Sequence, residues 1–190
     1  MQIKVTMETP DVVNRECLAM GFFMDERPPK DACGLVDWRL NGLISREMAN
    51  GHISGAFMEG VLITSCSRIS SPTIFLFGLG SLSELTYDRL YQTGYHLWET
   101  MAGILCKDFA FSLPAAGRCH LDVPDMTEAM IRGSFDYLSK DIEKWATCST
   151  SIIVRESYLR EIMTGLENFQ HHVRDVSVIE IESPPSRSSS

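Results

Sequence analysis

The residues best suited to chemistry gather in one stretch, Pro114-Ala115-Ala116-Gly117-Arg118-Cys119-His120. It follows an apolar run, Phe109-Ala110-Phe111-Ser112-Leu113, and precedes Pro124 at the start of a helical pattern. A loop between the carboxyl end of a strand and the start of a helix is where open α/β sheets place their ligands. Backbone N–H groups around Gly117 suit an anion, aided by the following helix N-terminus, and the Arg118 guanidinium adds a planar, bidentate donor. Ala116, Gly117 and Arg118 are therefore the candidates for a phosphate-type site, set against the plainer reading of an ordinary strand-to-helix connection. Cys119-His120 sets a thiol beside an imidazole, but neighbours in sequence rarely point at each other, and an activated nucleophile needs a base oriented by a third group. A free thiol beside a surface imidazole is the expectation there.

Other chemical patterns are incomplete. Gly78-Leu79-Gly80-Ser81 lacks the third glycine of a dinucleotide fingerprint and the Lys-Ser/Thr of a P-loop, so it reads as a tight turn. Cys17, Cys33, Cys66, Cys106, Cys119 and Cys148 are scattered singly with no Cys-x-x-Cys, which predicts free thiols. His52, His96, His120, His171 and His172 complete no metal-ligand spacing, so neither a metal nor a cofactor is expected. His171-His172 closes a helix, where a cationic imidazole complements the C-terminal dipole. Met101, Met126, Met130 and Met163 fall on helical stripes and read as core.

These residues sit in a chain of 190 residues, 44% apolar and 22% charged, the size and composition of one globular domain. Lys+Arg 17 against Asp+Glu 25 gives a net charge of −8 with no basic cluster, which excludes a nucleic-acid partner needing a dense positive face. The N-terminus lacks the apolar core of a secretory signal, and no run approaches the ~18 apolar residues of a membrane span. A cytoplasmic protein with no membrane partner is expected.

The elements that must position the loop follow from pattern. Ile3–Glu8 and Glu16–Met24 read as strands separated by a turn at Thr9-Pro10-Asp11. After the break at Arg27-Pro28-Pro29-Lys30, a helix runs from Asp31 to the stop at Asn50-Gly51, interrupted at Asn41-Gly42. Gly60–Cys66 and Thr73–Phe77 read as strands, the second buried on both faces. A helix from about Ser83, its expected N-cap, to Cys106 carries Leu85, Leu90, Gly94, Leu97, Trp98, Met101 and Leu105 on one stripe. Strand Phe109–Leu113, a helix from Pro124 to Trp145, strand Ser149–Arg155, helix Ser157–His171 and strand Asp175–Glu182 follow. Residues 183–190, Ser-Pro-Pro-Ser-Arg-Ser-Ser-Ser, read as a frayed tail, leaving a domain of residues 1–182. Strands alternating with long helices require a three-layer α/β/α sandwich on a mixed, mainly parallel sheet, with the N-terminal strands as the expected antiparallel members.

Three segments, Asp37-Trp38-Arg39-Leu40-Asn41-Gly42-Leu43-Ile44-Ser45, Gly51-His52-Ile53-Ser54-Gly55 and Ile74-Phe75-Leu76-Phe77-Gly78-Leu79-Gly80, resemble in order and spacing the N-terminal domain of the leucyl (cytosol) aminopeptidase family. That domain has a "leucine-glycine-glycine-leucine" helix, a glycine-rich turn, a strand ending in Gly-Leu-Gly, a long helix and a strand ending near Leu-Pro, here Phe109–Pro114. The resemblance covers roughly residues 3–182 and implies a macro-domain-like fold, a class that elsewhere binds ADP-ribose. It brings no catalytic or metal-binding residue. The family holds two divalent metals in a separate C-terminal domain, partly on an Asn-Thr-Asp-Ala-Glu-Gly-Arg run, and no such run occurs here. Macro domains cradle a diphosphate on a loop with more glycines than the single Gly117, and their triple-glycine loop is reduced here to Asn41-Gly42. The resemblance implies a non-catalytic module acting in oligomer assembly or peptidase regulation, with a second copy or a full-length aminopeptidase as partner. The alternative is ADP-ribose or nucleotide binding, or hydrolysis, at Asn41, Gly42 and the Ala115–Cys119 loop.

Overall fold

The computed structural model describes residues 2–141, 148–172 and 179–182. Its strands are β1 (Gln2–Thr6), β2 (Cys17–Phe22), β3 (Gly60–Thr64), β4 (Thr73–Gly78), β5 (Asp108–Ser112), β6 (Ser149–Ile153) and β7 (Ile179–Glu182). Its helices are α1 (Asp31–Arg39), α2 (Leu43–Ala49), α3 (Tyr87–Gly103), α4 (Val123–Leu138) and α5 (Leu159–His172). The strands form a seven-stranded sheet in the order β3-β4-β2-β5-β6-β1-β7. Each described pairing is parallel except that of β3 with β4.

Strand periodicity sends alternate side chains to opposite faces, and here both faces are apolar. Cys17, Ala19, Phe75, Phe77, Phe109, Phe111 and Ile152 enter the cluster formed with α3, α4 and α5. Leu18, Met20, Phe22, Ile74, Leu76, Ala110 and Ile153 enter the cluster formed with α1 and α2. The sheet is therefore the middle of three layers, as periodicity predicts.

The antiparallel member is not one of the N-terminal strands. β1 lies parallel between β6 and β7, and β2 lies parallel between β4 and β5, so Thr9-Pro10-Asp11 opens a connection between distant positions in the sheet. β2 carries apolar residues too continuously for a half-solvated edge, and its central parallel position buries both faces. The long helix also starts later than expected. Leu82–Glu84 forms a 3-10 turn, and Thr86 caps α3 by accepting from the Arg89 N–H at 3.2 Å. At the other end Leu105 has left the helix with φ 59 and is 83% exposed, so it does not share the buried stripe. Thr150–Ile153 is buried as a central strand must be, while the expected helix and strand residues 142–147 and 175–178 and the tail 183–190 lie outside the described residues.

α3, α4 and α5 pack closely because the crossing points lack side chains. A Cβ on Gly94 would overlap the Met130 carbonyl, one on Gly133 the Tyr91 carbonyl, and one on Gly165 the Pro124 carbonyl. A methyl group at such a contact must push the helices apart, and overpacking costs about 1–3 kcal/mol. Gly133→Ala should lower stability by about 2–3 kcal/mol in urea denaturation, whereas Gly103→Ala, where a Cβ meets nothing, should not destabilise.

Candidate functional site

The carboxyl ends of β1, β5 and β6 open into a cleft of about 830 Å³. Its walls are Met7–Pro10 after β1, Ser112, Leu113 and Ala116 after β5, Ile153–Glu156 and Tyr158 after β6, and Asp31, Ala32 and Leu35 at the start of α1. Size and position are those of a small-molecule site at the ends of parallel strands. The surface is mostly apolar, and its charged side chains are Glu8, Asp31, Arg155 and Glu156, three acids to one base.

Of the candidate ligand-binding residues Asn41, Gly42, Ala116, Gly117 and Arg118, Ala116 lines this cleft. Gly117 sits beside it with φ 72, and a Cβ there would overlap the Tyr158 hydroxyl, so the ring of Tyr158 closes over the loop. Arg118 lines a small hollow next door and turns inward. Its Nη1 donates to Glu26 Oε1, its Nη2 to Glu26 Oε2 at 3.3 Å, and its Nε pairs with Asp31 Oδ2. Arg155 Nη2 takes the other Asp31 oxygen at 2.5 Å, and Lys30 stands 3.6 Å from Glu26. Burial works against the charge on Arg118, but the bond from Glu26 and the field of Asp31 outweigh it and hold its pKa above the ordinary arginine value.

The Arg118 N–H is also occupied, donating to the Ala115 carbonyl at 2.9 Å to close a turn. Asp31 lies in the first turn of α1, where its carboxylate supplies the negative charge that a helix N-terminus favours. The guanidinium at this junction is thus engaged by the protein's own carboxylates. Asp31, with φ 53, and Ala115, with φ 55, both adopt the left-handed conformation, which costs a non-glycine residue roughly 1–2 kcal/mol. The ion pairs stabilise the conformation that carries them.

Asn41 and Gly42 lie at the far end of α1, about 13 Å along the helix axis from Asp31 at 1.5 Å per residue. They complete a Schellman cap: Asn41, with φ 58, donates to the Trp38 carbonyl at 3.1 Å, and Gly42 donates to Asp37 at 2.8 Å. The Asp37 carboxylate is buried beneath them and receives the Ser45 N–H and hydroxyl, so it joins α1 to α2. The structure therefore separates Asn41-Gly42 from the Ala116–Arg118 loop.

Glu26, Asp31, Arg155 and Tyr158 were missed by pattern, since Glu26 and Arg118 are 92 positions apart and meet only in the fold. The Cys119 thiol donates to the Ala115 carbonyl at 3.6 Å and lies 3.9 Å from Met126 Sδ, while His120 is exposed. Among the described residues no group of three or more His, Cys, Asp or Glu side chains is arranged to hold a metal ion, and no helix is long and apolar enough to cross a membrane.

Glu26 is only 6% exposed, so removing Arg118 leaves a buried carboxylate with the longer Lys30 contact. Breaking such a pair costs about 3–5 kcal/mol in full burial and less at this half-open site. Arg118→Ala should therefore cost about 2–3 kcal/mol in urea denaturation, and Glu26→Gln should recover part of that loss in a double-mutant cycle.

Comparison with known proteins agrees with this architecture. The model of the cytosol aminopeptidase family N-terminal domain matches residues 19–139. A probable cytosol aminopeptidase from Geobacter sp. (strain M21) is 28% identical over 152 residues, covering 76% of this chain and 30% of that protein. The chain thus spans about a third of the length of that relative. A tomato leucine aminopeptidase superposes with a TM-score of 0.64 at 18% identity, over 87% of this chain and 35% of that one. The Oceanobacillus iheyensis macrodomain with ADP superposes with a TM-score of 0.71 at 9% identity, over 89% of this chain and 90% of that one, a likeness of fold. With the family model matching well over half of its length, the chain belongs to the cytosol aminopeptidase family, through that family's N-terminal domain.

Proposed function

We propose that this domain is a non-catalytic module that acts in oligomer assembly or in regulating a peptidase, with a second copy or a full-length cytosol aminopeptidase as its partner. The family match supports this reading, because it falls on that family's N-terminal domain. The observation that carries it is the engagement of Arg118 by Glu26 and Asp31. The cation that would receive a phosphate is spent inside the protein, and the cleft beside it carries an excess of carboxylates.

Light scattering on the eluted protein should show a species larger than the monomer, or affinity-tagged protein should retain a purified full-length cytosol aminopeptidase. A monomer at all concentrations that retains no peptidase would contradict the proposal.

A second reading, ADP-ribose or nucleotide binding or hydrolysis at the Asn41-Gly42 and Ala115–Cys119 loops, is favoured by the cleft of about 830 Å³ and by the ADP in the Oceanobacillus neighbour. Here Gly117→Glu is a poor probe, since any side chain at Gly117 meets Tyr158 whether or not a ligand binds. Ala116→Trp fills the cleft instead. Calorimetry with ADP-ribose should give no saturable heat under the leading proposal; saturable heat abolished by Ala116→Trp would establish the second.

A further inference from the structure

β3 is the outermost strand on its side of the sheet among the described residues. Antiparallel pairing alternates the direction of main-chain groups, so every second residue bonds the neighbour and the others face outward. Ser65 N–H donates to Pro72 at 2.9 Å and Gly78 N–H donates to Glu59 at 2.8 Å, which identifies the odd-numbered residues as those bonded to β4. The N–H and C=O groups of Gly60, Leu62 and Thr64 therefore face away from the sheet. Edge strands of this kind are usually guarded by charge, proline or a covering element. Gly60-Val61-Leu62-Ile63-Thr64 has no charge and no proline, and Gly60, Leu62 and Thr64 are exposed, Leu62 by 46%.

We propose that β3 is the self-association edge of this domain, two copies pairing their β3 strands antiparallel across a two-fold axis. The inference deepens the assembly reading above and rests on it. The occupant is a second copy because the outward groups are self-complementary. Centred on Leu62, the pairing sets Leu62 against its own counterpart and Gly60 against Thr64, so the exposed apolar side chain meets an apolar one and each outward donor meets an outward acceptor. About six main-chain hydrogen bonds would form, with no charged side chain of either strand in the seam. An isologous contact of this kind closes at the dimer. A five-residue strand covers less than the ~800 Å² per partner of a standard interface, so the dimer is of modest affinity and its population follows concentration.

Sedimentation equilibrium of the full chain over a wide concentration range tests the proposal. The wild type should pass from the mass of one copy to that of two. Leu62→Pro removes an outward N–H and no bond to β4, so it should keep the wild-type circular dichroism and remain monomeric. Leu62→Lys keeps every main-chain group, sets like charges opposite each other, and should weaken association at least about tenfold, which covers the case in which the proline variant does not fold. A dimer unaffected by Leu62→Lys, or by a folded Leu62→Pro, would overturn the β3 edge while leaving assembly through another surface. A wild type that stays monomeric would overturn the edge, and retention of a full-length aminopeptidase would then decide separately whether the docking arm of the broader reading survives.

Discussion

β2, β4 and β5 have no face to give to water. Leu18, Met20, Phe22, Ile74, Leu76 and Ala110 must be covered by α1 and α2, while Ala19, Phe75, Phe77, Phe109 and Phe111 must be covered by α3, α4 and α5. At ~25 cal/mol per Å² of apolar surface, leaving either side of such strands open is prohibitive. Three layers follow, and with them parallel strands joined by crossover helices. Parallel strands bring their carboxyl ends to one rim, which is why β1, β5 and β6 together open a cleft there. The same constraint relaxes at β3, which has only half-buried Val61 and Ile63 to cover and can run antiparallel at the edge.

At the rim, local conformation and electrostatics solve a shared problem. Asp31 and Ala115 occupy left-handed backbone positions at facing loops, and Arg118 bridges the segments by pairing with Glu26 and Asp31. Arg155 extends the network to the loop after β6. Exposed ion pairs contribute little, but Glu26 is buried and needs its partner. The network therefore acts as a clasp between the β2–α1, β5–α4 and β6–α5 connections. A clasp and an anion site draw on the same guanidinium, and here the clasp holds it.

Much of the layer architecture was legible because burial writes itself into periodicity. Thr73–Phe77 is apolar without interruption, and the break at Asn41-Gly42 marks a helix end that the Schellman bonds then confirm. Ser83 was a reasonable cap by residue type, but Leu85 is fully buried and draws Leu82–Glu84 into a separate turn, leaving Thr86 to cap α3. The mainly parallel sheet was legible in the alternation of strands and helices, but the direction of β1 and β2 was not, since nothing in either strand tells which way a neighbour runs. The loop Ala116–Arg118 follows β5, but its chemistry depends on Glu26, which lies in a segment that reads only as the approach to Pro28. Residue type names the donor, and only the fold names the acceptor.

The central claim is that the Arg118 guanidinium is committed to Glu26 and Asp31. Its most direct test is the Nε–H resonance of Arg118, followed by NMR while ADP-ribose is added to saturation. The account predicts a signal that does not move with ADP-ribose but is perturbed by Asp31→Asn, which removes the charge paired with Nε. A saturable shift of that resonance with ADP-ribose, absent in Ala116→Trp, would show the guanidinium reaching a ligand and would contradict the account.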